Sequence, residues 1–337
     1  MSLPDPSPVI DLIEAFRRSK AMFAAVSLGI FDLLAQKPQN ATELAERIGA
    51  HEGALERLLD ACAALGLLRK HNGCYSNQPL ADAYLRLESE HTLSGYILYS
   101  DRVLYLLWSR LEDAVREGTH RWRQQFDCDG PIFDHLFQSE QSMRTFIRGM
   151  HGFGVLSSPR VVSAFDLSSF RRMVDIGGAT GHLVIAACER YPMLRGIVFD
   201  LPRVAQVARE HVAASPASDR IEVIAGDFFS DRLPEGDLYA LGRILHDWSD
   251  DKIRTLLRLI FERMPSGGGL LIAEKLLDED GAGPLSANLQ SLNMLVCTEG
   301  RERSLGEYTE LLRDAGFGAI EGRRTGAPLD AVLALKN

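Results

Sequence analysis

Cysteine is scarce in this sequence, and its spacing builds nothing. The five residues, Cys62, Cys74, Cys128, Cys188 and Cys297, are odd in number and include no C-x-x-C. A disulfide framework and a thiolate zinc site are therefore not expected, and a reducing cytoplasm is the natural setting. The sequence also has no P-loop, no G-x-S-x-G and no H-E-x-x-H. No compact run of carboxylates and histidines suggests a metal. No uninterrupted apolar stretch approaches the ~20 residues that a membrane span needs. The opening MSLPDPSP is polar and proline-rich, unlike a secretory leader. Positive charge is in deficit, with 37 Lys and Arg against 46 Asp and Glu and a net charge of -9. That balance argues against nucleic acid or anionic membranes as partners and favours small neutral or cationic ligands.

What is there suffices for about two domains. The chain has 337 residues, 46% of them hydrophobic, against a typical allotment of ~150 residues per domain. Its first half reads as helices. Ile10, Ile13, Phe16, Met22, Phe23, Val26, Ile30, Leu33 and Leu34 recur near the helical period and stop at Lys37-Pro38. NATELAERIG follows, with Asn40 and Glu43 spaced as a capping box. A second helix, HEGALERLLDACAALGLL, leads to RKHNGCYSN, whose Asn72-Gly73 signals a hairpin. Helix, turn, helix and hairpin form the outline of a winged helix. A DNA-reading role is disfavoured, because from Ala54 to Leu67 the second helix has Arg57 as its only basic residue, against Glu56 and Asp60. Packing or dimerisation is the expected role. Helical patterning continues from Thr92 to Phe170, with Ser157-Ser158-Pro159 as a break, and predicts domains of 1–160 and 161–337.

The second half alternates short apolar runs with helical stretches. RMVDIG, GIVFDL, IEVIAGD, DLYALG and GLLIAE read as strands, and GAIEG with DAVLALK as a closing antiparallel hairpin. Ser304 and Glu307 supply another capping box. This alternation predicts an α/β fold with a parallel sheet covered on both faces, and ligands at the strands' carboxyl ends. The polar residues fall there. Asp175 to His182, DIGGATGH, follows the first strand, and Gly177, Gly178 and Gly181 permit a tight turn. Ala179 and His182 break the G-x-G-x-x-G dinucleotide pattern, which weakens a nicotinamide reading. Asp200, ending the second strand, suits the two hydroxyls of a ribose. Gly226, Asp227 and Phe228 end the third, where the acid can take an adenine amino group and the ring can cover its face. Phe228 as ordinary core is the alternative. GRILHDWSD ends the fourth and plants His246 beside Trp248 and Ser249, read as packing and helix cap.

Taken together, DIGGATG, VFDLP, AGDFF, GRILHDWSD, GGGLLIAEKLLDED and SLNMLVCTEGRERS resemble the two-domain S-adenosylmethionine-dependent O-methyltransferases of the caffeic-acid and acetylserotonin type. The resemblance covers nearly the whole chain. It implies a Rossmann-like domain with a mostly parallel seven-stranded sheet, preceded by a mainly α, winged-helix-like dimerisation domain. It implies S-adenosylmethionine held by Gly177, Asp200, Gly226, Asp227, Phe228 and Arg243. It further implies His246 as general base with Glu274 and Glu302 as its carboxylates, Asn293 on the acceptor, and a homodimer. Met150 and His151 are candidates for lining the acceptor site, with core packing as the alternative. Ala179 stands where the family has a third glycine, Phe137 where it has a tyrosine and Gly154 where a tryptophan aligns. The expected reaction is methylation of a hydroxyl on a small aromatic molecule. N- or C-methylation on the same fold, and a nucleoside-sensing regulator, are the alternatives.

Overall fold

A computed structural model describes residues 3–128, 137 and 139–337. Part of the helical reading between Thr92 and Phe170, at residues 129–136 and 138, lies outside the described residues. The chain forms two compact units, Met1–Val103 and Leu104–Asn337.

The first unit begins with α1 (Ser7–Ser27) and α2 (Ile30–Leu34), then β1 (Gln39–Asn40), α3 (Ala41–Ile48) and α4 (Glu52–Ala64). β2 (Leu68–His71), β3 (Cys74–Asn77), α5 (Pro79–Tyr84) and α6 (Ser94–Tyr99) complete it. The capping box forms: Glu43 N donates to Asn40 Oδ1 at 2.8 Å, and Asn40 N donates to Glu43 Oε2 at 2.9 Å. Asn72 and Gly73 take φ of 48° and 76°, the left-handed pair that a two-residue hairpin requires. Ile30, Phe31, Leu44, Leu59, Leu68 and Tyr75 are in its core. The acids of α4 face the hairpin: Lys70 Nζ reaches Asp60 Oδ1 at 2.6 Å and Glu56 Oε1 at 3.3 Å, and Tyr75 donates to Asp60 at 2.6 Å. These contacts serve packing.

The second unit opens with α7 (Tyr105–Trp108), α8 (Leu111–Glu117), α9 (Trp122–Phe126) and α10 (Glu140–Val162). Alternating strands and helices follow: β4 (Arg172–Ile176), α11 (His182–Arg190), β5 (Arg195–Asp200), α12 (Pro202–Ala214), β6 (Ile221–Ala225), β7 (Leu238–Gly242), α13 (Asp250–Arg263) and β8 (Gly269–Glu274). The chain ends with β9 (Leu276–Leu277), α14 (Leu285–Cys297), β10 (Arg303–Ser304), α15 (Leu305–Asp314), β11 (Ile320–Arg323) and β12 (Asp330–Leu335). The seven-stranded sheet has the order β11-β12-β8-β7-β4-β5-β6. The five consecutive strands β8-β7-β4-β5-β6 are parallel, and β12 and β11 close the edge beside β8 as an antiparallel hairpin.

Strand alternation buries both faces. Val174 and Ile176 of β4 enter the core beneath α13 and α15, while Met173 enters the core beneath α11 and α12. The chain leaves β4 toward β5 and β6 on one side, then returns to place β7 and β8 on the other. The order therefore reverses between β4 and β7, and a crevice opens at their carboxyl ends.

The compact units divide at Val103, not at the residue 160 expected from the sequence. The helices between these points belong with the sheet, since α7 and α8 pack on α14 and α10 lies along α11. Ser157-Ser158-Pro159, read as a break, sits within α10, with both serines buried. Pro159 costs this helix the one bond its N–H would make to the carbonyl four residues back, and the helix ends three residues later at Val162.

Candidate active site

The turn after β4 is shaped by what surrounds it. Gly177 has φ 65°, and a Cβ there would lie 2.5 Å from Ile244 Cδ1 and 3.6 Å from Phe228 Cε1. Only glycine permits both the conformation and the approach. Ala179 adopts φ 50° without that freedom, and its N–H donates to Asp200 Oδ2 at 2.8 Å. Leu201 N donates to the other oxygen of Asp200 at 2.7 Å. Burial pushes the Asp200 carboxyl up to about 6, while these two bonds pull it back. Each oxygen keeps a lone pair for a ligand hydroxyl.

The next strand end joins the same corner. Gly226 N donates to Asp200 O at 2.9 Å, and a Cβ on Gly226 would strike the Phe199 ring at 2.4 Å. Asp227 shapes its own turn, with Oδ1 accepting from Phe229 N at 2.9 Å. The Phe228 and Phe229 ring centroids lie 4.7 Å apart. Trp248 stands edge-on to both, in the packing role expected of it. Ser249 occupies the cap position of α13, but its side chain makes no cap bond.

Beyond β7 the backbone turns sharply. Arg243 has φ 58°, its N–H donates to Ala273 O at 3.0 Å, and its guanidinium lies 5.7 Å from the Phe153 ring centroid. A 3-10 turn, Leu245–Asp247, then carries His246 into the interior, where it is 3% exposed. Its Nδ1 lies 2.7 Å from Glu302 Oε1 and 3.3 Å from Glu274 Oε2. Glu274 also holds the turn, because Oε1 accepts from Ile244 N and Leu245 N, each at 2.9 Å. Glu302 and Glu274 are 0% and 1% exposed. Burial pushes them up to about 8 and about 7. Asp247 is raised for the same reason.

The donor atoms of His246, Glu274 and Glu302 all lie within 4.8 Å of one another. Sequence spacing suggested no such cluster, because its members come from three separate segments. A cation there would compete with the bond between His246 and Glu302.

Asn293, on α14, is 8% exposed, and its Oδ1 accepts from Trp108 Nε1 at 2.8 Å. Met150 and His151 are half-buried on α10, and His151 Nδ1 shares a 2.8 Å hydrogen bond with Thr180 Oγ1. That bond places His151 on the glycine turn. His182, which opens α11, bonds Ser158 Oγ on α10 through Nδ1 at 2.8 Å. Where a tryptophan would align at Gly154, the ring of His182 fills the space. Trp108 and Arg303 were missed by the sequence reading. Arg303, 1% exposed, donates to Leu245 O at 3.3 Å, Trp248 O at 3.4 Å and Asp250 Oδ1 at 2.6 Å, and so ties down the loop carrying His246. Its place next to the capping-box Ser304 was the local signal in the sequence.

Residues 108–318 match the O-methyltransferase domain family, and residues 10–86 match the O-methyltransferase dimerisation domain. The chain belongs to the O-methyltransferase family. Enzymes of this family take their methyl group from S-adenosylmethionine. Acetylserotonin O-methyltransferase of Bos taurus is 42% identical over 328 residues, 95% of this chain and 95% of that protein. A Homo sapiens protein described as a probable bifunctional dTTP/UTP pyrophosphatase/methyltransferase is 42% identical over 336 residues. That match covers 99% of this chain, which spans only 54% of the human protein. Human N-acetylserotonin methyltransferase, solved in complex with S-adenosylmethionine, superposes with a TM-score of 0.94 at 38% identity, covering 100% of this chain and 99% of that one. Among the described residues, no helix of this O-methyltransferase is long and apolar enough to cross a membrane.

Proposed function

We propose that this O-methyltransferase methylates a hydroxyl of a small aromatic acceptor, a phenol, hydroxyindole or polyketide-like ring, with His246 as general base. The observation that carries the reading is the 2.7 Å contact between Glu302 and Nδ1 of a buried His246. A neutral phenol, with an unperturbed pKa of about 10, is a poor nucleophile, whereas a phenolate is a good one. Glu302 holds the Nδ1–H tautomer and leaves the Nε2 lone pair for the acceptor's proton. Glu274 and Glu302 then stabilise the imidazolium. Asp247 Oδ1, 3.7 Å from Nε2, adds negative potential. A base so placed contributes about 10²–10⁴ in rate.

S-adenosylmethionine supplies the methyl group as an electrophile on a sulfonium. Asp200 accepts the ribose hydroxyls on the lone pairs that Ala179 and Leu201 leave open. Asp227 accepts the adenine amino group and Phe228 covers the ring. Gly177 and Gly226 let the backbone come close, and Arg243 borders the same space. Trp108, a donor only, pins Oδ1 of Asn293, whose Nδ2 donates to Cys297 Sγ at 3.7 Å and keeps a second N–H for the acceptor, which Met150 would also line. The N-terminal unit acts as a dimerisation domain and the chain works as a homodimer. On α1, Val9, Ile10, Leu12, Ile13 and Phe16 remain 51–74% exposed, an apolar stripe suited to a second copy. The five cysteines, all free, fit a cytoplasmic setting.

The test is incubation with S-adenosylmethionine labelled in its methyl group and a panel of phenols, hydroxyindoles and polyketide aglycones. Label on an acceptor oxygen is the expected outcome. Label on nitrogen or carbon, or donor binding without transfer to any acceptor, would overturn the reading.

A further inference from the structure

Three histidines around the glycine turn have no part in the proton transfer. They are His151 on α10, His182 opening α11, and His211 near the end of α12. Two of them make a reciprocal pair of bonds across the glycine turn. His151 reaches from α10 to Thr180 of the turn, Nδ1 to Oγ1 at 2.8 Å. His182 reaches from the far side of the turn back to α10, Nδ1 to Ser158 Oγ at 2.8 Å. His151 and Ser158 stand two helical turns apart on one face of α10, with Gly154 between them. A Cβ at Gly154 would fall 2.2–2.4 Å from Cδ2, Nε2 and Cγ of His182, so glycine is what seats the ring against the helix. On the other side, the His211 ring lies 4.3 Å from that of His151. Thr180 and Ser158 are 0% and 2% exposed, so neither hydroxyl has water as a substitute partner. Burial holds His151 down to about 4 and His182 down to about 3. Both rings are therefore neutral near pH 7, and they bond as polar groups and not as charges.

The turn between these bonds includes Gly177 and Ala179, both at positive φ. An alanine does not hold that conformation by itself. We propose that His151 and His182 are positioning residues for the methyl donor: a two-bond clamp that fixes residues 177–181 against α10 and thereby sets donor affinity. The inference rests on the turn being the donor site. It moves His151 away from the acceptor. Loosening the clamp lowers the fraction of chains whose turn is ready to bind, and the apparent dissociation constant rises in inverse proportion to that fraction.

The experiment is calorimetric binding of S-adenosylhomocysteine, with steady-state kinetics, on the full chain and its His151→Leu, His151→Asn and Ser158→Ala variants. His151→Leu and Ser158→Ala are each expected to weaken S-adenosylhomocysteine binding about tenfold. They raise KM for the donor while kcat at saturating donor and KM for the acceptor stay within about twofold. His151→Asn, whose amide takes the place of Nδ1, is expected to recover most of the affinity. Melting temperatures within a few degrees of the parent establish that each variant is folded. Unchanged S-adenosylhomocysteine affinity in folded His151→Leu and Ser158→Ala, or a rise in acceptor KM alone, would overturn the clamp. Absence of binding to the parent chain would instead remove the donor-site reading beneath it.

Discussion

At the Asp200 corner, both carboxylate oxygens accept backbone N–H bonds before any ligand arrives, from Ala179 at 2.8 Å and Leu201 at 2.7 Å. At the His246 corner, Glu274 Oε2 and Glu302 Oε2 are buried without a hydrogen-bond partner. The two corners lie on one rim of one sheet and treat buried acids differently, the first bonding both oxygens and the second only Oε1 of each glutamate. A satisfied carboxylate is a rigid surface, ready to accept further bonds in a fixed direction. An unsatisfied pair is pushed by burial to hold its protons above the usual glutamate range and ionises readily only when a positive charge forms beside it. The first suits binding and the second suits a step in which an imidazole becomes charged.

The sharpest way to break this contrast is His246→Ala. It is expected to lower kcat by about 10³ while the donor dissociation constant, measured by calorimetry, moves less than about twofold. A matching loss of donor affinity would merge the two corners into one. Next is Asp200→Asn, which keeps the shape but gives up acceptor capacity. Its expected signature is donor KM up about tenfold, with kcat at saturation largely kept. The smallest effect concerns stability. Glu302 and Glu274 sit at about 8 and about 7 in the fold, against 4.5 for an ordinary glutamate. Between those values the folded chain retains protons that the unfolded chain has released, so the contribution of these two groups is fully present below about pH 4.5 and is lost as pH rises toward 8. Asp200 and Asp175, raised to about 6 and about 7, act in the same direction. Melting temperature is expected to decline above about pH 6.5, where His151 and His182, held neutral in the fold, no longer pull the other way, and Glu302→Gln, which cannot ionise, to flatten the decline by about 2–4 °C. A variant with the parent's slope would remove Glu302 from the account.

The same contrast explains what could be read from residues alone. The strands, the capping boxes at Asn40 and Ser304, and the terminal hairpin were legible because each is written in a few neighbouring positions. Asp200 was legible too, because its partners sit one strand away in a known order. His246 gained two carboxylates only through a family resemblance, since Glu302 reaches it across 56 positions. The Trp108 bond to Asn293 spans 185 positions and leaves no local trace. The compact units divide elsewhere than at residue 160 for a related reason. Ser157-Ser158-Pro159 has the composition of a linker, yet Ser158 is buried to hold His182, and a proline close to a helix end does not stop it.

Ala179 stands in the middle of the glycine turn with a positive φ. Its left-handed backbone costs roughly 1–2 kcal/mol that a glycine would spare. Glycine, however, would also give the turn more shapes to visit, and every one of them would have to be given up on meeting the donor. With alanine, that ordering entropy is settled once, when the chain folds, and not again at each turnover. An Ala179→Gly chain would therefore be relaxed in its backbone and slower to find its grip.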